Sequence, residues 1–250
     1  MLQEPFAHGT SPLHRLDTRF KIVMAISYAF AVALSNRFPA LFLGLAFSFV
    51  LFGISRLPLW EVTKRVALVN GFVLFLWFVI PFTYPGEPIF FLGPLTATHQ
   101  GILISARITI KSNAILLAFI ALIATSSVAT LGAALSRLGV PQKMVHLLLL
   151  NYRYIFVMEE EYHRLIRSAA VRGFQPSTRL HTYRTFAYLV GMLFVRASER
   201  AERVYMAMLC RGFSGKFHSL YGFSRSPYDV LWLSCTITII LGILILEWVH

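Results

Sequence analysis

Two Arg-Gly-Phe triplets are the residues of this sequence best suited to bind another molecule. They lie at Arg172-Gly173-Phe174 and Arg211-Gly212-Phe213, and their arginines are 39 residues apart. Glycine after a last turn is an ordinary helix cap, and arginine there favours the negative end of the helix dipole. Arginine also presents a rigid fork of donors to the carboxylates or carbonyls of another protein. Because the triplet occurs twice in a basic block, we interpret the two triplets as protein-docking ends.

The sequence offers no competing catalytic or metal-binding pattern. The eight histidines are scattered, without a His-x-x-x-His pair, so we expect no metal site and no cofactor bound by this chain. The stretch from Gly212 to Lys216 has neither the spacing of a phosphate-binding loop nor the Ser or Thr that follows its lysine. Glu159, Glu160 and Glu161 point in different directions around a helix, which predicts a solvated, salt-bridged face. We therefore expect a chain that catalyses nothing by itself.

Arg107 and Lys111 form a second basic feature, four residues apart on one face of an apolar run. Facing lipid, each charge would cost about 3 kcal/mol on insertion scales. Both side chains should therefore face protein or water. A structural or subunit-contact role is the favoured interpretation, and an anion pathway is the alternative.

The composition is typical of an integral membrane protein. Of the 250 residues, 57% are hydrophobic and 14% are charged, against roughly 25% charged in a soluble domain. That is too little charge to cover a soluble protein of this length. The formal net charge of +12 comes without a nucleic-acid-binding motif, and Lys and Arg are enriched on cytoplasmic segments of membrane proteins. We expect a lipid bilayer, and no nucleic acid, among the partners.

Five apolar runs predict five membrane spans, of which the first two are short for the roughly 20 residues that a span needs. The runs cover residues 21–35, 38–54, 66–83, 101–124 and 228–247. Basic residues precede the first run and follow the second, whereas the loop 84–100 contains none. The positive-inside rule then places the N-terminus and the loop 55–65 in the cytoplasm, and the loop 84–100 and the C-terminus outside. Arg37 is the one exception to this pattern.

The block between the fourth and fifth runs predicts one short and two long helices. The short helix covers residues 126–138, and the long helices cover residues 142–172 and about 183–211, with opposite-charge pairs Glu160–Arg164 and Glu199–Arg203. Apolar patches at 144–158 and 186–195 are more typical of interfacial helices than of spans. A seven-span arrangement that counts both patches is the alternative.

The expected fold is thus an all-α integral membrane protein, with about five transmembrane helices and a cytoplasmic domain of two long helices and a short one. Three parts follow from this pattern. Residues 1–124 form a transmembrane part with four spans, 125–222 form the cytoplasmic helical domain, and 223–250 form a C-terminal transmembrane helix.

The chain resembles the transmembrane T component of an energy-coupling factor (ECF) transporter, and most closely the cobalt/nickel type called CbiQ. The resemblance covers almost the whole chain and rests on Ser11–Asp17, Leu92–Thr96, Ala169–Phe174 and Glu202–Phe213, of which the last two are the most specific. In that family, two Ala-Arg-Gly motifs end the long coupling helices and bind two ATPase subunits. They correspond here to Val171-Arg172-Gly173 and Cys210-Arg211-Gly212, with both alanines replaced.

The resemblance implies a coupling subunit without chemistry of its own. Two ABC-type ATPase subunits would bind ATP and move the helix ends, and the coupling helices would pass that motion to the membrane spans. The spans would reorient a separate membrane subunit that binds cobalt or nickel, with a small accessory membrane protein as a further partner. The implied location is the bacterial inner membrane, and the implied context is cobalamin biosynthesis.

Two other classes of function compete with this interpretation. A stand-alone channel or permease would use Arg107 and Lys111 to line a pore, but it leaves the basic helical block unexplained. A membrane enzyme acting on lipids would need a constellation of carboxylates or histidines near the interface, which the sequence lacks.

Overall fold

The structure is a computed structural model that describes residues 6, 9, 11–85, 88–92, 95–213 and 227–248. Within these ranges the chain forms nine helices and one β-hairpin, so the predicted helical class is confirmed with one addition. The elements are α1 Pro12–Arg15, α2 Thr18–Leu34, α3 Phe38–Ser55, α4 Leu59–Thr83, β1 Pro88–Leu92, β2 Leu95–Thr98, α5 His99–Leu122, α6 Val128–Arg137, α7 Gln142–Val171, α8 Leu180–Cys210 and α9 Pro227–Trp248.

Four of the described helices, α3, α4, α5 and α9, are long and apolar enough to cross a membrane. The predicted span at 21–35 falls in α2, which has 17 residues, at the short end of the range for spans. Its crossing of the bilayer stays a prediction. The helices α7 and α8 are 30 and 31 residues long but are not among the candidates, which weighs against the seven-span arrangement.

The chain divides into two compact units. One comprises Glu4–Leu131 with Gly222–His250, and the other comprises Met1–Gln3 with Gly132–Tyr221. We call them the span unit and the long-helix unit. The span unit contains all four candidate spans, and the long-helix unit contains α7 and α8.

Buried hydrogen bonds join α2, α3 and α5 at the centre of the span unit. The hydroxyl of Tyr28 lies 2.7 Å from both Gly44 O and Ser48 Oγ, and Ser48 Oγ donates to Ala114 O at 2.7 Å. Each hydroxyl has one proton, so with Ser48 donating to Ala114 the proton of Tyr28 serves either Gly44 or Ser48. In a bilayer such bonds and close packing, rather than the hydrophobic effect, hold helices together.

Helix α9 lies parallel to α2 and is bound to it at both ends. At the first end, the backbone N–H of Asp17 donates to Asp229 Oδ1 at 3.0 Å. At the other end, Ser35 Oγ donates to Glu247 Oε2 at 2.9 Å. The same carboxylate accepts from the backbone N–H of Arg37 at 3.2 Å. The charge of Arg37, the one exception to the positive-inside pattern, therefore has an acidic neighbour at its own end of the unit.

Two segments predicted as loops contain regular structure. Residues 59–65 of the predicted loop 55–65 belong to α4, where Lys64 lies over the ring of Trp60 one turn earlier, 5.0 Å from its centroid. Within 84–100, β1 and β2 pair as an antiparallel hairpin with Phe91 opposite Thr96. The search for apolar runs missed the start of α4 and the hairpin, because a polar helix end and a short hairpin both lack a long apolar run.

Two helices of the span unit begin at a residue whose side chain caps the first turn. Asp17 is the N-cap of α2 and accepts the backbone N–H of Arg19 at 3.0 Å, which satisfies one of the free donors of the first turn. Thr98 caps α5 in the same way through Gly101. A Cβ on Gly101 would lie 2.7 Å from Pro81 Cα, so glycine permits the close approach of α4 and α5 there.

Candidate functional site

The end of α7 is a regular helix cap that leaves Arg172 on the surface. The backbone N–H of Phe174 donates to Ala169 O at 3.1 Å, and that of Gly173 donates to Ala170 O at 3.0 Å. With Gly173 at φ +82°, this is the Schellman arrangement, which satisfies carbonyls that the last turn would leave free. Arg172 itself takes φ −85° and ψ 14°.

The end of α8 repeats this geometry. The backbone N–H of Phe213 donates to Met208 O at 3.0 Å, that of Gly212 donates to Leu209 O at 2.9 Å, and Gly212 has φ +79°. Arg211 takes φ −89° and ψ 11°. The two triplets are therefore alike in backbone conformation as well as in sequence.

All six residues predicted to dock are exposed, and Val171 is 89% exposed. They are Val171, Arg172, Gly173, Cys210, Arg211 and Gly212. A Cβ on either glycine would meet nothing within 4 Å. Within the described part of the chain, neither arginine forms an ion pair. Both guanidinium groups are thus available to an outside partner.

The long helices lie antiparallel, which places the two triplets at opposite ends of the pair. Phe174, just after α7, packs edge-on against Phe186 in the second turn of α8, with ring centroids 5.7 Å apart. At the other end, Leu147 near the start of α7 and Met208 near the end of α8 line one groove. The C-termini of α7 and α8 therefore point in opposite directions.

A buried carboxylate joins the two helices between these ends. Glu161 on α7 is 3% exposed and forms a hydrogen-bonded ion pair with Arg196 on α8. Its carboxylate also lies 3.3 Å from Arg164 and 3.9 Å from Arg200. We call these four residues the Glu161 cluster. The hydrogen bond from Arg196, reinforced by the charges of the three arginines, holds the pKa of Glu161 below its ordinary value.

The Glu161 cluster corrects two sequence predictions. The acidic run was expected to be a solvated face, but its third residue is buried against α8. Arg164 was expected to pair with Glu160, whereas it pairs with Glu161, three residues away. The predicted pair Glu199–Arg203 is confirmed at 3.8 Å. The long-range partner of Glu161 is 35 residues away and leaves no local signal in the sequence.

A buried lysine, which sequence analysis counted only as a topological charge, holds the end of α5. Lys21 on α2 is 1% exposed, and its Nζ donates to Ser126 Oγ at 3.1 Å and to Thr125 Oγ1 at 3.3 Å. These hydroxyls lie between α5 and α6, just before the chain enters the long-helix unit at Gly132. Lys21 therefore fixes the point from which the chain leaves the span unit.

The pair Arg107 and Lys111 makes contacts inside the span unit. The Nζ of Lys111 donates to Ala33 O at 2.8 Å and to Asn36 Oδ1 at 3.1 Å. The guanidinium of Arg107 lies over the ring of Phe38, 5.4 Å from its centroid. Lys111 therefore contacts the end of α2 and the connection to α3, and Arg107 contacts the start of α3.

These features define a class of protein, namely a membrane-spanning chain that carries an exposed, twice-repeated Arg-Gly-Phe helix end on paired long helices. A sequence model of the CbiQ family, described as cobalt transport protein, matches residues 9–221. The match extends from the residues before α1 through α8, and includes both triplets.

Individual relatives agree with the family match. The chain is 27% identical to the energy-coupling factor transporter transmembrane protein EcfT of Streptococcus equi, over 95% of this chain and 91% of that protein. It is 26% identical to the EcfT of Bacillus subtilis, over 98% and 95%. An uncharacterised protein of Methanocaldococcus jannaschii is 24% identical over 94% and 83%. The chain belongs to the CbiQ family and is a transmembrane component of the ECF type.

Proposed function

We propose that this chain is the coupling subunit of an ATP-driven importer of cobalt or nickel ions. It would transmit the motion of two cytoplasmic ABC-type ATPase subunits to a separate membrane subunit that binds the metal ion. The observation that carries the proposal is the pair of exposed, conformationally matched Arg-Gly ends on antiparallel helices. Two helix ends with the same conformation, pointing in opposite directions, could each bind one of two similar ATPase subunits.

Each triplet would dock through its arginine. The guanidinium forks of Arg172 and Arg211 would bind carboxylates or free carbonyls of the ATPases, and the exposed glycines would let the partner backbone approach closely. Val171 and Cys210 would form the rest of each contact, where the family has alanine. Buried arginine contacts of this kind commonly dominate the affinity of protein interfaces.

The Glu161 cluster would keep the two ends in a fixed relation. Arg172 lies 11 residues beyond Glu161, and Arg211 lies 15 residues beyond Arg196, which puts the arginines up to about 40 Å apart along the helix axes. When the ATPases close on ATP, each end would be drawn toward the other. A pair joined near its middle by ion pairs would turn as a unit rather than slide.

The motion would reach the span unit along the chain. Helix α6 follows the hydroxyls held by Lys21, which lie in the span unit a few residues before Gly132. Tension on α6 would therefore act on α2 and α5 through that contact. Arg107 and Lys111 would support the same unit from the connection between α2 and α3, or contact the metal-binding subunit.

The partners would supply everything that this chain is expected to lack. ATP would bind to the ATPases, and the metal ion would bind to the substrate subunit, with a small accessory membrane protein as a further member. The proposal of cobalt draws on the description of the family, and nickel is added from the resemblance to the cobalt/nickel type. The chain would lie in the cell membrane with its N-terminus and long-helix unit in the cytoplasm and its C-terminus outside.

A pull-down from membranes solubilised in gentle detergent tests this proposal. The variant Arg172→Glu/Arg211→Glu is compared with wild type and with the control Arg153→Glu/Arg184→Glu, which changes the same charge at exposed sites on the same two helices. Wild type and control should recover an ABC-type ATPase and a membrane partner. The docking variant should recover the membrane partner without the ATPase. Recovery of the wild-type chain alone would contradict the proposal, and metal flux by the chain alone in liposomes would then establish a channel.

A further inference from the structure

A pocket of about 620 Å³ opens between α1, the first two turns of α9 and Arg56, the residue that follows α3. Two arginines, Arg15 and Arg56, lie on it, and both are exposed. Leu16, Tyr228 and Trp232 supply an apolar wall. All of these residues belong to the span unit, and neither arginine takes part in the docking or coupling described above.

The two arginines outnumber the one acidic residue that lines this pocket. Asp229 lies on the pocket but is 1% exposed, and its Oδ1 accepts the backbone N–H of Asp17. Asp17 in turn pairs with Arg19 at 2.6 Å. Among the residues that the structure describes, Arg15 and Arg56 form no ion pair. Two arginines without an ion-pair partner among the described residues therefore line one opening, which suits an anion.

Arg56 also holds a backbone conformation that glycine would adopt more easily. Its φ of +50° and ψ of 37° put it in the left-handed region, and it is the one non-glycine residue with positive φ in the described ranges. The steric cost of that conformation falls on any residue with a Cβ. The conformation directs the chain from α3 into α4 and leaves the arginine beside the pocket.

The pocket lies at the depth of lipid headgroups. Arg56 follows the last residue of one candidate span, and Tyr228 is the first residue of another. Tyrosine and tryptophan favour that depth, because their rings are partly apolar and partly polar. The positive-inside pattern puts this end in the cytoplasmic leaflet, which carries the anionic lipids, and basic pockets between helices on that side bind anionic headgroups.

We propose that this pocket binds the phosphate of an anionic phospholipid, with Arg15 and Arg56 donating to its oxygens. Trp232 then lies against the glycerol backbone and the first acyl carbons. A free phosphate anion could bind the two arginines in the same way, but it has no apolar part that would contact the apolar wall. The wall therefore favours the lipid. This site is independent of the coupling function.

Fluorescence of Trp232 in nanodiscs tests the site. The substitutions Trp60→Phe, Trp77→Phe and Trp248→Phe leave Trp232 as the reporter, and phospholipids with brominated chains quench it on contact. Brominated phosphatidylglycerol should quench more strongly than brominated phosphatidylcholine at equal fraction. The preference should fall roughly fivefold on Arg15→Gln or Arg56→Gln and vanish in the double variant. Lys64→Gln, which removes one exposed charge at the same predicted face, should keep it.

Three results would overturn the lipid site. The first is equal quenching by both lipids when Arg15 and Arg56 are intact. The second is a preference for phosphatidylglycerol that survives the double variant. The third is loss of that preference on adding millimolar inorganic phosphate, because the site would then bind free anions. Native mass spectrometry of the chain with all four tryptophans provides a second measurement. The wild type should retain phosphatidylglycerol over phosphatidylcholine, and the Arg15→Gln/Arg56→Gln chain should not.

Discussion

Glu161 and Arg196, 35 residues apart in sequence, form a hydrogen-bonded ion pair between two antiparallel helices that otherwise expose most of their surface. The carboxylate is buried, whereas the side chain of Arg196 is 42% exposed. This pair therefore fixes the register of α7 against α8, and the buried partner of the pair is on α7. It also lies between the two Arg-Gly ends, where a change of register would move one end relative to the other.

Replacing Glu161 should loosen the long-helix unit. In Glu161→Gln, the three arginines of the cluster lose their shared counter-charge and repel one another. We expect the midpoint of thermal unfolding in detergent to fall by a few degrees. Glu160→Gln removes the same charge one residue earlier, at a position exposed to solvent, and should change the midpoint little. Equal effects of the two substitutions would show that the Glu161 cluster contributes nothing specific.

The contribution of Glu161 should depend on pH in a defined direction. Because its pKa is held below the ordinary value of 4.5, its ionised form is favoured by folding. The stabilisation is complete above pH 4.5 and is lost as the pH falls through the lower pKa of the folded state. The difference in unfolding midpoint between wild type and Glu161→Gln should therefore be constant from neutral pH to about 5 and shrink below 4.5. A difference that already disappears at pH 6 would contradict this assignment.

Alanine substitutions at a glycine inside α8 and at the glycine just after it should have opposite effects. Gly212→Ala puts a Cβ on a residue at φ +79° and should destabilise the chain by about 1 kcal/mol. Gly191→Ala lies inside α8, where an added Cβ meets nothing within 4 Å, and should stabilise by up to about 1 kcal/mol. Chemical denaturation of the two variants measures both changes in the free energy of unfolding. Stabilisation by Gly212→Ala would show that the cap is not formed.

Docking of the ATPase should protect Cys210 from modification. This thiol is exposed next to Arg211, and the other cysteine, Cys235, is on α9 in the span unit. Labelling of Cys210 by a small maleimide should slow several-fold when the ATPase is bound, whereas labelling of Cys235 should not change. Cys235→Ser and Cys210→Ser variants isolate the two signals. Unchanged labelling of Cys210 in an assembled complex would exclude this end of α8 from the interface.

Lys21 should matter for coupling more than for assembly. Lys21→Met keeps the length of the side chain but loses the hydrogen bonds to Thr125 and Ser126. We expect the ATPase to co-purify as with wild type, while metal uptake per ATP hydrolysed falls several-fold. Lys64→Met, exposed on α4, should leave uptake unchanged. Loss of the ATPase from Lys21→Met would instead give Lys21 a role in folding or assembly.

Sequence patterns were sufficient where the determinants are local. The caps at Gly173 and Gly212 depend on residues within one turn, and the apolar runs located four helices that the structure makes long enough to span. The features that were missed depend on distant partners. The burial of Glu161 is set by Arg196, and that of Lys21 by hydroxyls more than a hundred residues later, so neither could be read from its own neighbourhood.

The parallel contact between α2 and α9 has a consequence for how the protein is made. Asp17 and Asp229 are 212 residues apart, and both ends of α2 are bound by residues of α9, which is synthesised much later. At roughly 5 to 20 residues per second, ribosomes need about 10 to 40 s to deliver α9 after α2. Throughout that interval, the surface of α2 that packs against α9 stays uncovered. A chain truncated before α9 would keep it in that state permanently and become a substrate for quality-control proteases.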